Sequence, residues 1–500
     1  MWKTTFAFSP DSVSTVSVRP SSEIDPRHRI FCNRSLNMKT IKAIGFDMDY
    51  TLGVYRPETF EVLAYEETLK KLVKMGYPDQ ILKWTFDWRF MIRGLAIDKS
   101  RGNIIKLDRH HYVKVAYHGF RELSREERRS LYDVSRVQAY EEPQFTLIDT
   151  LFALAEAYLF CQLVELKDAH PELCMKSYPE MYRDIRTSID DAHRDGSIKD
   201  KVARDPGRYI VRDPELVKTL QKLKESGRKL FIVTNSLWEY TNVVMSHLFG
   251  ESADAKEHRW IEMFDVVIVG SSKPGFFMQS NPLYEVDPAT GWMRNASRLP
   301  LAHRVFQGGN FRQLHQLLDV QVGSQILYVG DHIYGDILRS KKEIGWRTML
   351  IIEELEGELE TYRLNADGRN HIWQMMRLKD DLDDQLQQLL WRYERIHNAT
   401  RNGVGDEAGS GDLSDLQERI RQLAEERNAA REALREHLRE YHRRFHPIWG
   451  QLMKTGHQNS RFAQQVEVYA CLYSSRVSNL LPYPPSKSFQ STTDVMPHEL

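Results

Sequence analysis

The chain has 500 residues, more than one compact core holds, so a catalytic domain with a large insertion or a second domain is the starting expectation. Its 69 Lys and Arg against 70 Asp and Glu leave a formal charge of −1, without the basic excess of a nucleic-acid binder, which points to a small-molecule partner. Four scattered cysteines (Cys32, Cys161, Cys174, Cys471) make no CxxC pair, and no apolar run approaches the roughly 20 residues that cross a bilayer, so a reducing, cytoplasmic setting without membrane contact is expected.

In chain order, residues 1–28 read as a flexible tail, Ser-, Thr- and Pro-rich over 1–26, with an organelle transit peptide as the alternative. The apolar run Ile41–Phe46 then leads into Asp47 and reads as a buried strand. Lys229–Val233 runs likewise into Thr234, Val266–Val269 stops at Gly270 before Lys273, and Gln325–Val329 runs into Gly330-Asp331. Strands of this kind, separated by helical stretches such as Asp213–Ser226, predict a parallel α/β sheet. Ligands of such sheets bind beyond the carboxyl ends of the strands, where all four polar clusters fall.

The long stretch between the first two strands predicts an inserted cap over 57–204, mainly helical, with Thr146–Val164 and Tyr178–His193 as its clearest helical patterns. Core segments then occupy 29–56 and 205–375. Residues 376–446 read as a helical hairpin broken at Asn402–Gly411, with Leu413, Leu416, Ile420, Leu423, Ala430 and Leu434 on one face, packing on its own core or serving as a dimerisation arm. A segment 447–482 is expected to pack on the core, and the Pro- and Ser-rich 483–500 to be flexible.

The chemistry sits in Asp47-Met48-Asp49-Tyr50-Thr51. Two carboxylates at one strand end raise each other's pKa unless a cation and a phosphate offset them. The first then attacks phosphorus, while the second protonates the leaving oxygen and activates water. Thr234 follows the second strand, where a hydroxyl and backbone N–H groups hold phosphate oxygens, and Lys273 supplies a cation. Asp331 and Asp336 bring the hard oxygen ligands that Mg²⁺ takes. Each element alone has an ordinary reading as a turn, a cap or a surface lysine; the signal is their common order.

The stretches FCNRSL, IKAIGFDMDYTLGVY, TNSLWEYT and LYVGDHIYGDILRSKKEIGWRT resemble the haloacid dehalogenase (HAD) subfamily of cytosolic purine 5′-nucleotidases, from about Arg29 to the C-terminal PHE. The resemblance implies a HAD-like Rossmannoid core with an inserted cap, a homo-oligomer (dimer or tetramer), Mg²⁺, and hydrolysis of nucleoside monophosphates such as IMP and GMP. It makes Asp47 the nucleophile, Asp49 the acid/base and Asp47, Asp49 (through its carbonyl) and Asp331 the metal ligands, with Asp336 in support. Thr234, Asn235 and Lys273 would hold phosphate, and Phe152, Arg186, Asp190, His193 and Lys199 the nucleoside. Arg186, Asp190 and His193, at i, i+4 and i+7, share a helix face.

The chain also departs from the family pattern. Ala153 stands for an Asn, Arg194 for a Tyr and Leu237 for an Asp, which bears on base preference. At the family's nucleotide effector site, Tyr334 and Lys342 match, while Ala139 replaces an arginine and Asp149 an asparagine, so weaker effector control is expected. Phosphotransfer to a second nucleoside, another phosphomonoester substrate, or a non-catalytic HAD scaffold remain alternatives at this point.

Overall fold

The computed structural model describes residues 23–132, 144–255, 258–296, 304–401 and 409–491. Two compact units emerge, one made of Met1–Gly357 with Asn459–Leu500 and the other of Glu358–Gln458. The first holds a sheet whose seven central strands are β1 (Ala43–Phe46), β2 (Lys229–Val233), β3 (Val266–Val269), β4 (Val305–Gly308), β5 (Ile326–Gly330), β6 (Arg347–Ile351) and β7 (Leu472–Ser474). In space they run β7-β6-β5-β1-β2-β3-β4, all parallel, flanked by antiparallel Phe31–Cys32 at one edge and by the hairpin Leu283–Val286/Met293–Asn295 at the other. All four strands expected from the sequence are there, and β1 lies between β2 and β5, at the switch point where an open α/β sheet receives its ligand.

Packing explains the glycine in β1. Gly45 pairs with Phe231 on one side and Tyr328 on the other, and those two rings stack with centroids 6.3 Å apart. A Cβ on Gly45 would lie 2.1 Å from Phe231 Cζ. Both rings are fully buried and abut Trp346, so they have nowhere to go.

The chain leaves this core at Val54–Tyr55 and returns at Ile210–Val211, the two segments pairing antiparallel. Between them lie α1 (Pro57–Lys74), α2 (Leu154–Ala169) and α3 (Tyr178–Arg194), the last started by a Ser177/Glu180 capping box. The insertion also carries a five-stranded antiparallel sheet in the order Arg121–Glu122, Val113–His118, Asn103–Leu107, Leu95–Asp98, Phe145–Ile148. Sequence reading had not marked these strands, and Thr146–Ile148, expected at the start of a helix, belongs to the last of them. Their hairpin turn is an Asx type: Asp98 Oδ1 accepts from the Ser100 N–H and hydroxyl.

The second unit contains α4 (Ala366–Arg401) and α5 (Gly409–Arg443), packed side by side. The hairpin therefore begins ten residues or so ahead of the expected 376, because Ile372 buries itself with Leu434 and Tyr441. Leu416, Leu423 and Leu434 of the expected apolar face are buried, while Leu413, Ile420 and Ala430 are half-buried. Residues 447–458 belong to this unit, so the core-packing segment starts at Asn459 and not at 447. Parts of both expected tails are ordered by burial. Ile24 is buried, Asp25 caps a turn at Pro26–His28, and Ser488–Phe489 pairs with Leu36–Asn37. Residues 1–22, 402–408 and 492–500 lie outside the described residues.

Gly45→Ala should cost on the order of 1–3 kcal/mol by overpacking against Phe231. A thermal melt of the variant reads this directly, and an unchanged midpoint would show that the ring pair yields. Adding Phe231→Leu should recover part of the loss.

Candidate active site

Asp47 ends β1 with its side chain nearly buried, and Lys273 Nζ lies 2.7 Å from its Oδ1. The same ammonium reaches Asp336 Oδ1 at 2.6 Å and donates to Tyr328 Oη at 3.1 Å, whose own hydroxyl donates to the Val233 carbonyl. Lys273 is thus fixed to both sheet strands beside β1. Burial by itself would pull this lysine down, but Asp336 and Asp47 outweigh it and hold it well above the usual lysine range.

Asp47, Asp331 and Asp336 each present one oxygen within 4.8 Å of the others. Three carboxylates against one ammonium leave a formal excess of two negative charges in a buried space. Burial first, then the neighbouring carboxylates, pushes Asp47 up to about 7 and raises Asp331 as well, against the pull of Lys273. Asp331 Oδ2 is buried with no hydrogen-bond partner among the described residues. An orphaned carboxylate oxygen inside an all-oxygen cluster of that charge fits a hard divalent cation. Asp336, expected as support only, stands in the cluster itself. It is delivered by a π-helical turn, Ile333–Leu338, and it packs over Gly330, where a Cβ would lie 2.6 Å from its Oδ2.

Asp49 points elsewhere. Its Oδ1 accepts from Tyr55 Oη at 2.5 Å and its Oδ2 from Ser236 Oγ at 2.8 Å. Thr234 is fully buried, and its Oγ1 accepts from the Ser236 N–H, which shapes the loop after β2. Asn235 uses its side chain on the loop after β3: its Oδ1 accepts from the Lys273 N–H and Ser271 Oγ, and its Nδ2 donates to the Lys273 carbonyl. It clamps the lysine loop, a role that the expected phosphate contact had not included.

These residues open into one cavity of about 470 Å³, a size suited to a small molecule. Phe152, Arg186, Asp190, His193 and Lys199, all expected from the sequence, line its insertion side. Phe152 is half-buried and held edge-on by Tyr50 at 4.7 Å and His193 at 5.6 Å between ring centroids. His193 is pushed down to about 4 by burial, then by Lys199 and Arg186, so it is a neutral imidazole near pH 7. Arg186 gives Nη1 to Glu156 at 2.9 Å and Nη2 to Asp190 at 3.0 Å. Glu156, whose other oxygen accepts from the Tyr182 hydroxyl, is buried.

Of the departures from the family pattern, Ala153 lines the cavity; Arg194 is exposed and paired with Asp191, Leu237 is exposed, and neither reaches the wall. Tyr334 and Asp149, matched to an effector site, line the catalytic cavity instead. Lys342 lies over the Tyr469 ring, and Ala139 falls outside the described residues.

Sequence reading missed Glu156, Tyr55, Ser236, Tyr328 and Arg93. Arg93 is fully buried, donates to the Asp331 carbonyl at 3.0 Å and pairs with Glu354. Ser236 and Tyr55 lie inside quoted motifs, two residues from Thr234 and eight from Asp47, and gave a positional signal. Glu156 and Arg93 gave none, being single charges in apolar or mixed segments whose burial only the fold reveals.

The model of the 5′ nucleotidase family matches residues 30–500. A 5′-nucleotidase domain-containing protein of Dictyostelium discoideum is 28% identical over 484 residues, 95% of this chain and 75% of that one. The human 5′-nucleotidase domain-containing protein 2 is 27% identical over 487 residues, 94% of this chain and 85% of its own. Among solved structures, a HAD phosphatase from Thermococcus onnurineus matches at 16% identity and a TM-score of 0.26, covering 63% of this chain and 87% of that one. Because the family match spans core, insertion and helical hairpin alike, the chain belongs to the 5′-nucleotidase family and is a phosphoric monoester hydrolase.

Proposed function

We propose that the chain is a Mg²⁺-dependent 5′-nucleotidase that hydrolyses nucleoside monophosphates, purines of the IMP and GMP kind first, through an aspartyl-phosphate at Asp47. One observation carries the reading: a single cavity has Asp47, Asp49 and Lys273 on one wall and Phe152, Arg186 and His193 on the other. The residues that would hold magnesium are Asp47, Asp331 and Asp336, with the Asp49 carbonyl, and the ion supplies charge neutralisation and polarisation of the phosphoryl group.

In the first step a carboxylate oxygen of Asp47 attacks phosphorus as the ester P–O bond breaks, and Asp49 gives the leaving oxygen its proton. In the second, Asp49 takes a proton from water, the hydroxide attacks phosphorus, and the P–O bond to Asp47 breaks to release phosphate. Lys273 offsets the charge on the nucleophile's side throughout, at 2.7 Å from Asp47. Asn235 contributes by keeping the Lys273 loop in place.

The opposite wall supports a nucleoside. Phe152 offers an aromatic surface, and the neutral His193 can both donate and accept. Arg186 has its charge matched by Glu156 and Asp190, so it serves as a fixed fork of remaining N–H donors and adds little net positive field. That favours an uncharged base edge over a second anionic group. The same reading includes a homo-oligomeric, cytoplasmic enzyme with no nucleic-acid or membrane partner.

Asp47→Asn should abolish phosphate release from IMP with the fold intact by circular dichroism, and Asp49→Asn should lower it by about 10² to 10⁴. Wild-type-like turnover by Asp47→Asn would end the mechanism. Activity should disappear with EDTA and return with Mg²⁺ or Mn²⁺; full turnover under excess chelator would remove the metal.

Arg186→Ala should raise KM for nucleoside monophosphates by on the order of 1.5–3 kcal/mol while barely changing p-nitrophenyl phosphate, which does not span the cavity. Since the change strands Glu156 in a buried position, Arg186→Ala/Glu156→Gln should restore the melting temperature without restoring KM. Equal losses on both substrates would show that Arg186 supports the fold and not the nucleoside.

A further inference from the structure

The acid/base role proposed for Asp49 requires its carboxyl group to face the leaving oxygen in one orientation. A carboxyl on a short side chain rotates unless both oxygens are held. Ser236 holds Oδ2, and Tyr55 holds Oδ1. Tyr55 has one hydroxyl proton and spends it on Asp49, so Tyr240, with its Oη 3.0 Å away, is the donor to Tyr55. The outcome is a directed chain of donors, Tyr240 to Tyr55 to Asp49.

Both tyrosines are buried, at 1% and 7% exposure, and their rings have little freedom. Tyr55 packs on Phe60 at 4.2 Å and Tyr50 at 5.0 Å, while its backbone pairs with Ile210 where the chain returns from the insertion. Tyr240 stands on the helix Trp238–Phe249, directly after the β2 loop that holds Thr234 and Ser236. The two hydroxyls thus reach Asp49 from two separately anchored elements. Both rings line the cavity, yet among the described residues neither hydroxyl bonds to Asp47, Lys273, Asp331 or Asp336, and the Lys273 ammonium is taken by Asp47, Asp336 and Tyr328.

We infer that Tyr55, backed by Tyr240, is a positioning residue that locks the Asp49 carboxyl group toward the leaving oxygen, which rests on the acid/base reading above. Removing the Tyr55 hydroxyl leaves substrate binding alone and lets the proton donor swing. The cost then falls on esters whose leaving oxygen needs a proton. An alkoxide such as a nucleoside 5′-oxygen needs it; p-nitrophenolate does not.

The test measures kcat/KM, which covers the steps up to the phosphoenzyme, for IMP, phenyl phosphate and p-nitrophenyl phosphate with wild-type, Tyr55→Phe, Tyr240→Phe and Asp49→Asn proteins. Phenylalanine keeps the ring contacts, and thermal melts confirm the fold. Tyr55→Phe should lose on the order of tenfold or more on IMP, as expected for a lost hydrogen bond to a charged group, and little on p-nitrophenyl phosphate, with KM for IMP unchanged. Tyr240→Phe should lose less in the same pattern. Equal losses across the three esters, or none for Tyr55→Phe, overturn the inference. If Asp49→Asn itself shows no dependence on the leaving group, the acid role fails and the inference with it; if Asp49→Asn shows it and Tyr55→Phe does not, the positioning role alone fails.

Discussion

The arrangement turns on one buried ammonium. Lys273 sits between Asp47 and Asp336 with its side chain nearly buried at the cavity wall, and each partner would be costly in that place without it. Its position is set by sheet geometry. Tyr328 in β5 holds the ammonium, and the Tyr328 hydroxyl is tied to the end of β2, so the strands on either side of β1 both fix the cation above the nucleophile. Gly45 belongs to the same construction, because the Tyr328 and Phe231 rings meet over the space that its missing side chain leaves. A packing constraint in the middle of a strand thereby becomes an electrostatic one at its end.

One ammonium does not balance three carboxylates, and the remainder defines what the site binds. Asp331 has a buried oxygen with no partner among the described residues, while Arg93 is spent on the Asp331 carbonyl and on Glu354. The protein's own cations offset part of the cluster's charge, and on the reading proposed above a divalent ion would offset the rest. On the opposite wall the one guanidinium of Arg186 is likewise taken up by carboxylates, Glu156 and Asp190.

How much of this was legible in the sequence follows the physics of each part. The four core strands were readable because each is an uninterrupted apolar run buried on both faces, and the residues just past their ends carry the chemistry. Asp47, Asp49, Thr234, Lys273 and Asp331 follow from that one rule. The insertion's sheet was harder, since Leu95–Asp98 and Asn103–Leu107 bury Asp98, Asn103 and Lys106 along with their apolar residues, so no alternation of polar and apolar positions announces a strand. The division between Asp336 as support and as a member of the cluster depended on a π-turn that no spacing rule predicts.

Partners that act through another residue were the least visible. Glu156 sits in the apolar helix Leu154–Ala169, where a lone carboxylate reads as a surface position, yet it is buried and matched by Tyr182 and Arg186 from another helix. Tyr55 reads as an ordinary strand aromatic six residues beyond Asp49. A tight turn, in which the Leu52 and Gly53 N–H groups donate to the Met48 carbonyl, and the antiparallel pair Val54–Tyr55/Ile210–Val211 bring it back to the carboxylate. In both cases a side chain with an obvious chemical role, Arg186 or Asp49, owes its orientation to a group far away in sequence or hidden in a pattern with another explanation. Most of the residues proposed to react or to touch substrate lie just past strand ends or on the helix Tyr178–Arg194, where periodicity exposes them. Those that aim them are set by tertiary packing, which carries no period, and for that reason they emerge from the structure alone.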